Sequence, residues 1–214
     1  MRIPLLALLL ASLLAAASFD GSLAFKEKGG DVAASCLRAK PDYIGASGCK
    51  KCHFAQWKSW KKTLMANAFE TLKPGQAAEA KKKHGLDVQK DYTKDASCLA
   101  CHTTGYGKPG GYPAISEGKE WNADEQKRAE ILQGVQCEAC HGPGSEYSVY
   151  KKKNPKYKRE EIKKLGLIHP DATNCATCHN SKSPTVAKDH KFDFEKMLKD
   201  EKQIHKHRKL KHPH

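Results

Sequence analysis

Twelve residues of this 214-residue chain fall into one pattern that occurs four times. Cys49, Cys52 and His53 form the first C-x-x-C-H, and Cys98, Cys101 and His102 the second. Cys137, Cys140 and His141 form the third, and Cys175, Cys178 and His179 the fourth. Two thiols three residues apart can add across the two vinyl groups of one porphyrin. The imidazole that follows rises to the iron as its proximal ligand, so the pattern is that of covalent haem c attachment. Paired cysteines also build disulfide frameworks and zinc sites. Neither use explains a His directly behind every second Cys. The chain is therefore expected to hold four covalently bound haem c groups, with His53, His102, His141 and His179 as proximal ligands.

Haem attachment of this kind takes place outside the cytoplasm, and the N-terminus agrees with that. Arg2 precedes the apolar run Ile3–Phe19, Asp20 stops it, and Ser22-Leu23-Ala24 offers a small-x-small cleavage site. The run is shorter than the roughly 20 residues of a spanning helix, which favours a signal peptide over an anchor. The expected division is a signal peptide at 1–24, an N-terminal arm at 25–46, a tetrahaem cytochrome c domain at 47–210 and a tail at 211–214. No membrane span remains after cleavage, and the location is periplasmic or extracellular. Cys36 is the ninth and unpaired cysteine, a free thiol or half of an intermolecular disulfide.

Composition is poor for an ordinary core. Mean hydropathy is −0.71 and aromatic residues make up 7%. Four covalently held apolar plates supply what the side chains do not. The formal charge of +14 overstates the surface, because the haem propionates offset about half of it. What is left either solvates the protein or forms a basic face for an acidic redox partner. Nucleic acid is not an expected partner for an exported haem protein, and an oligomer is possible.

The elements that must position these groups are mainly helices joined by extensive loops. Phe54, Trp57, Trp60, Leu64, Ala68 and Leu72 recur at three- and four-residue steps, which predicts a helix over 52–72 that ends at Pro74-Gly75. A short helix is expected over 76–84 and a loop over 85–97. Gly-rich irregular backbone follows over 103–118, and Asn122 or Asp124 caps a helix to about Gln133. Residues 151–164 read as a solvated basic loop with a short helix. Phe194, Met197, Leu198 and Ile204 predict a C-terminal helix over 192–210. No stretch reads as a strand.

Proximal duty leaves His84, His169, His190, His205, His207, His212 and His214, with Met65 and Met197, as sources of sixth ligands. His205 and His207 would lie two residues apart on the C-terminal helix, so at most one of them faces a haem. Spacing alone does not pair any of these residues with an iron.

Beyond the haem motifs, several stretches carry a resemblance. They are Ser59-Trp60, Glu70–Pro74, Asp91-Tyr92-Thr93, Gly105-Tyr106-Gly107, Gly110-Gly111-Tyr112, Gly134-Val135, Gly142-Pro143-Gly144 and Phe192–Leu210. In these the chain resembles the cytochrome c-554 family over about 47–210. The resemblance implies a multihaem cytochrome c fold with closely packed haems in stacked and perpendicular pairs. It also implies three bis-His haems and a five-coordinate second haem, bound by Cys98, Cys101 and His102. One of the family's distal histidines falls at His205. The other two positions are occupied here by Met65 and by Lys151, beside Tyr150. Met65 then either ligates the third haem, raising its potential, or packs as an ordinary core residue. His169 is the remaining donor for the first haem.

The resulting expectation is an electron carrier between redox proteins rather than an enzyme. The alternatives are nitric oxide reduction at an open second haem, or a protomer of a haem filament. With so little apolar side chain, the polypeptide should not fold without its haems. Changing the eight motif cysteines to Ala should abolish helical circular dichroism, and native-like helix content in that variant would contradict the expectation.

Overall fold

Short caps and sharp turns, rather than long apolar stripes, set the lengths of the helices. In a computed structural model the described residues are 41–186, 191–200 and 202–207, all inside one unit that spans Ala39–His214. They form ten α-helices, none longer than nine residues, and one 3-10 helix. The helices are α1 (Ala46–Cys49), α2 (Phe54–Trp60), α3 (Ala78–Lys83), α4 (Ala96–His102) and α5 (Ala123–Ile131), with the 3-10 helix Phe69–Leu72 after α2. They continue with α6 (Cys137–His141), α7 (Ser145–Lys153), α8 (Arg159–Lys163), α9 (Ala172–Ala176) and α10 (Phe194–Lys199). Among the described residues the only β pairing is an isolated bridge between Thr103 and Gln133. The architecture is mainly α with extensive loops, as expected. The stretches expected as signal peptide and tail, most of the expected arm, and Cys36, His190, His212 and His214 lie outside the described residues.

The helix expected over 52–72 is cut short. It holds as α2 only to Trp60, and turns carry the chain on to the 3-10 helix. The cause is competition for backbone groups. Thr63 Oγ1 donates to Trp60 O at 2.8 Å and accepts from Ala66 N at 3.2 Å, offering the backbone a local alternative to the helical ladder. Trp60 Nε1 donates to Val135 O, and Val135 N donates to Met65 O, both at 2.9 Å. Trp60 and Met65 are thus both bonded to the bend at Val135, 75 residues beyond Trp60. The apolar stripe divides accordingly. Phe69 and Leu72 are buried, whereas Leu64 is 76% exposed.

The C-terminal helix is also shorter than its period suggests. It ends at Lys199. The Asp200 carboxylate accepts from Lys202 N at 2.9 Å, which turns the chain. His205 and His207 therefore sit on a non-helical segment, with their rings 5.2 Å apart. The basic stretch expected as a loop with a short helix begins inside α7, which carries Lys151, Lys152 and Lys153, and its short helix is α8. The other readings hold. Asn122 caps α5 with a reciprocal Glu125 capping box, α3 occupies the second predicted helix, and turns fill 103–118.

The apolar core is small and lies around the second motif. Tyr43, Phe69, Leu72, Tyr92, Leu99, Tyr112, Ala129 and Leu132 form it. Tyr112 meets the Trp121 ring edge-on at 5.7 Å. Leu99 lies between the two cysteines of the second motif and is fully buried, which pins α4 to this core.

Gly134 makes the crossing with residues 65 and 66 possible. Its φ is +80°, and a Cβ there would stand 2.6 Å from Ala66 O. Gly134→Ala should lower stability by more than the ~1–3 kcal/mol of backbone strain alone. Gly118→Ala, with φ +71° and nothing within 4 Å, isolates the strain. Denaturant midpoints of the two holoproteins check the difference.

Candidate functional site

One helical turn is the unit from which each site is built. Placing two cysteines at i and i+3 puts both thiols on one face, with the His following directly behind. In the first motif α1 ends at Cys49, and His53 N donates to Cys49 O at 3.0 Å. α4 contains the whole second motif, and α6 is the third. In the fourth, His179 N donates to Cys175 O at 2.9 Å. None of the eight cysteines is in a disulfide.

Caps start two of these turns. Asp95 accepts from Ser97 N at 2.9 Å and from Ser97 Oγ at 2.6 Å. Asp171 and Asn174 cap α9 reciprocally. The third turn is held differently, by two buried polar side chains. Glu138, only 1% exposed, accepts from Ile44 N, Gly45 N at 2.7 Å and Gly144 N at 2.7 Å. Burial pushes its carboxyl up, while those three N–H groups pull it back down. Gln136 accepts from Ala46 N at 2.6 Å and donates to Ile131 O and Gln133 O. Both residues thus tie the third motif to the segment leading into the first.

The sulphurs show which motifs are neighbours. The Cys49 and Cys137 sulphurs are neighbours, and so are those of Cys101 and Cys178. Cys140 is buried near Cys175 and Cys178. The first motif therefore stands beside the third, the second beside the fourth, and the third beside the fourth.

The imidazoles are oriented through the nitrogen that does not face a metal. His102 Nδ1 lies 2.7 Å from Ala68 O and 3.3 Å from Thr71 Oγ1, and burial holds its pKa down. A neutral ring that donates from Nδ1 leaves the Nε2 lone pair for iron. His141 Nδ1 faces Ile168 O at 3.4 Å. The His179 ring stacks on Phe192 at 4.5 Å. These donor sets fit haem c. An open groove of about 750 Å³ lies beside α2, lined by Phe54, Ala55, Lys58, Ser59, Lys62, Lys202 and Lys206, and no attachment cysteine or proximal histidine lines it.

Two of the three expected sixth ligands are brought to the first–third pair. His205 faces His141, ring centroids 6.3 Å apart, and Lys206 N ties its segment to Ser59 Oγ on α2 at 2.7 Å. Met65 is half-buried, its carbonyl bonded to Val135 just before the third motif. His169 is exposed on the loop after α8; partial burial and the Arg159 and Lys163 charges lower its pKa. Glu138 and Gln136 are missing from the sequence-level reading. Nothing in C-E-A-C-H marks its Glu as a buried clip.

Residues 48–142 match the family described as cytochrome c554 and c-prime. Cytochrome c-554 of Nitrosomonas europaea is 34% identical over 197 residues, 81% of this chain and 79% of that protein. The chain belongs to the cytochrome c-554 family. The reduced-state structure of cytochrome c554 from the same organism matches this family member with a TM-score of 0.67. The identity there is 33%, covering 81% of this chain and 89% of that one. As a cytochrome of this family the chain carries four covalently bound haem c groups, and the four motifs supply their attachments.

The Asp95 cap offers a pH test of the second site. Its carboxyl lies below the ordinary value because Ser97 donates to it. The stabilisation is therefore complete above about pH 4 and is lost as pH falls through the lowered folded-state value. Asp95→Ala should cost about 1 kcal/mol at neutral pH. It should also flatten the acid limb of a stability–pH curve measured by denaturant titration.

Proposed function

We propose that this cytochrome carries electrons between redox proteins outside the cytoplasm, in the periplasm or at the cell exterior. The observation that carries the proposal is the geometry that joins the motifs: Glu138 and Gln136 hold the third against the segment leading into the first, and the Cys101 and Cys178 sulphurs are neighbours. Together with the nearness of Cys140 to Cys175 and Cys178, it links all four attachment points in one chain of neighbours. When bound, the haems supply one-electron redox chemistry at four closely spaced irons. The polypeptide's part is to fix those distances and to shield the sites. Glu138 and Gln136 lock the first and third motifs together. Leu99 anchors the second in the core, and Ala68 O sets the His102 ring. The apolar leader supports export.

Met65 and His205 are the side chains proposed to complete irons of the first–third pair. Both stand beside those motifs, whereas His169 stands exposed. A Met ligand would raise the potential of its haem relative to a bis-His neighbour.

A redox titration followed by electron paramagnetic resonance tests the proposal, because it counts high-spin, His/His and His/Met irons together. Reversible uptake of one electron per haem is expected. A Met-sulfur charge-transfer band should be present in the ferric protein and absent from Met65→Ala. Carbon monoxide and nitric oxide should bind ferrous protein only at the five-coordinate second haem that the family resemblance implies, and nitric oxide should not be turned over. Binding with turnover of nitric oxide would make the protein an enzyme instead.

A further inference from the structure

We infer that the outer face of α2, together with the first attachment loop, is the docking surface for an acidic redox protein. The inference rests on the carrier function proposed above and names the face that function uses. Between Tyr43 and Phe69 the chain has five lysines, Lys50, Lys51, Lys58, Lys61 and Lys62, and no Asp or Glu. All five are exposed. Among the described residues the ion pairs lie elsewhere, at Lys73–Glu70, Lys82–Glu79, Lys119–Glu125 and Lys163–Glu160. Those four lysines sit next to carboxylates, and none of these five does.

The lysines surround an aromatic centre that fixes two of them. Lys50 Nζ lies 4.4 Å and Lys61 Nζ 5.1 Å from the Trp57 ring centroid. Trp57 stacks on Phe54 at 6.1 Å, and Phe54 is 54% exposed. Leu64, the most exposed large apolar side chain described, follows α2 by four residues. An aromatic and aliphatic centre inside a rim of one charge is the anatomy of a transient protein interface.

The face also borders the chemistry. Lys50 and Lys51 lie between Cys49 and Cys52, and α2 begins directly after His53. Lys58 and Lys62 line an open groove with Lys202 and Lys206, and no Asp or Glu lines it, so the protein leaves the positive field of this face uncompensated. The complementary partner is a protein with exposed Asp and Glu side chains around its own electron-transfer centre. An anionic lipid surface shares the charge, but the apolar contact on this face is too small for insertion.

Stopped-flow reduction of the holoprotein by flavodoxin hydroquinone, an acidic one-electron donor protein, tests the inference, with dithionite as a small donor. The variant Lys50→Gln/Lys51→Gln/Lys61→Gln should react with flavodoxin about ten-fold more slowly at low ionic strength, and its rate should depend less on salt. A charge-matched control, Lys152→Gln/Lys153→Gln/Lys156→Gln, should change less than about two-fold. Dithionite reduction and the haem spectrum should be unchanged in both variants. Equal loss in both variants, no loss in the first, or a wild type that flavodoxin reduces without salt dependence would overturn the inference. So would binding to phosphatidylglycerol vesicles that the first variant alone loses while its flavodoxin rate is unchanged. Failure of every donor to reduce the wild type would instead overturn the carrier function itself.

Discussion

A chain that buries so few apolar side chains must fill its interior with something else, and the rest of this structure follows from that shortage. Among the described residues, eight buried side chains form the hydrophobic core, and they gather around the second motif. The first and third sites have no comparable cluster. What holds them is covalent attachment of large apolar cofactors and a set of polar clips. The turns that carry the motifs are accordingly short, because each needs only to present two thiols and an imidazole.

The polar clips show how a protein of this kind gains specificity without a large core. Glu138 and Gln136 are both nearly fully buried, and each reaches across to backbone that leads into another motif. A buried carboxylate is costly unless its acceptor sites are filled. Here the N–H groups of Ile44, Gly45 and Gly144 fill them. The same groups would be left as unpaired donors by any apolar replacement, so the register of the first motif against the third is specified by the need to satisfy both sides.

The parts of the fold legible in the sequence are those whose causes are local. The four motifs announce themselves by spacing, Asn122 and Glu125 by the capping box, and residues 103–118 by their glycines. The misread elements are those whose causes are distant. The period from Phe54 to Leu72 is real, yet Thr63 and the bonds to Val135 break the helix it suggests. Asp200 ends the last helix before Ile204, whose apolar character only appears to continue the pattern. No local signal pairs Cys49 with Cys137 or Cys101 with Cys178, because each of these pairs joins motifs that are not successive in the chain. Likewise Leu99 and Glu138 occupy equally unmarked positions inside their motifs, one serving the core and the other a clip.

The hydrogen bond from Lys206 N to Ser59 Oγ joins residues 147 positions apart. It ties the segment carrying His205 to the helix that leaves the first motif. Biosynthesis therefore meets an ordering problem. The first motif to be synthesised cannot gain this contact until all four motifs have been made, because Lys206 follows the fourth of them. Between the two lies an interval in which α2 stands without the segment that carries His205.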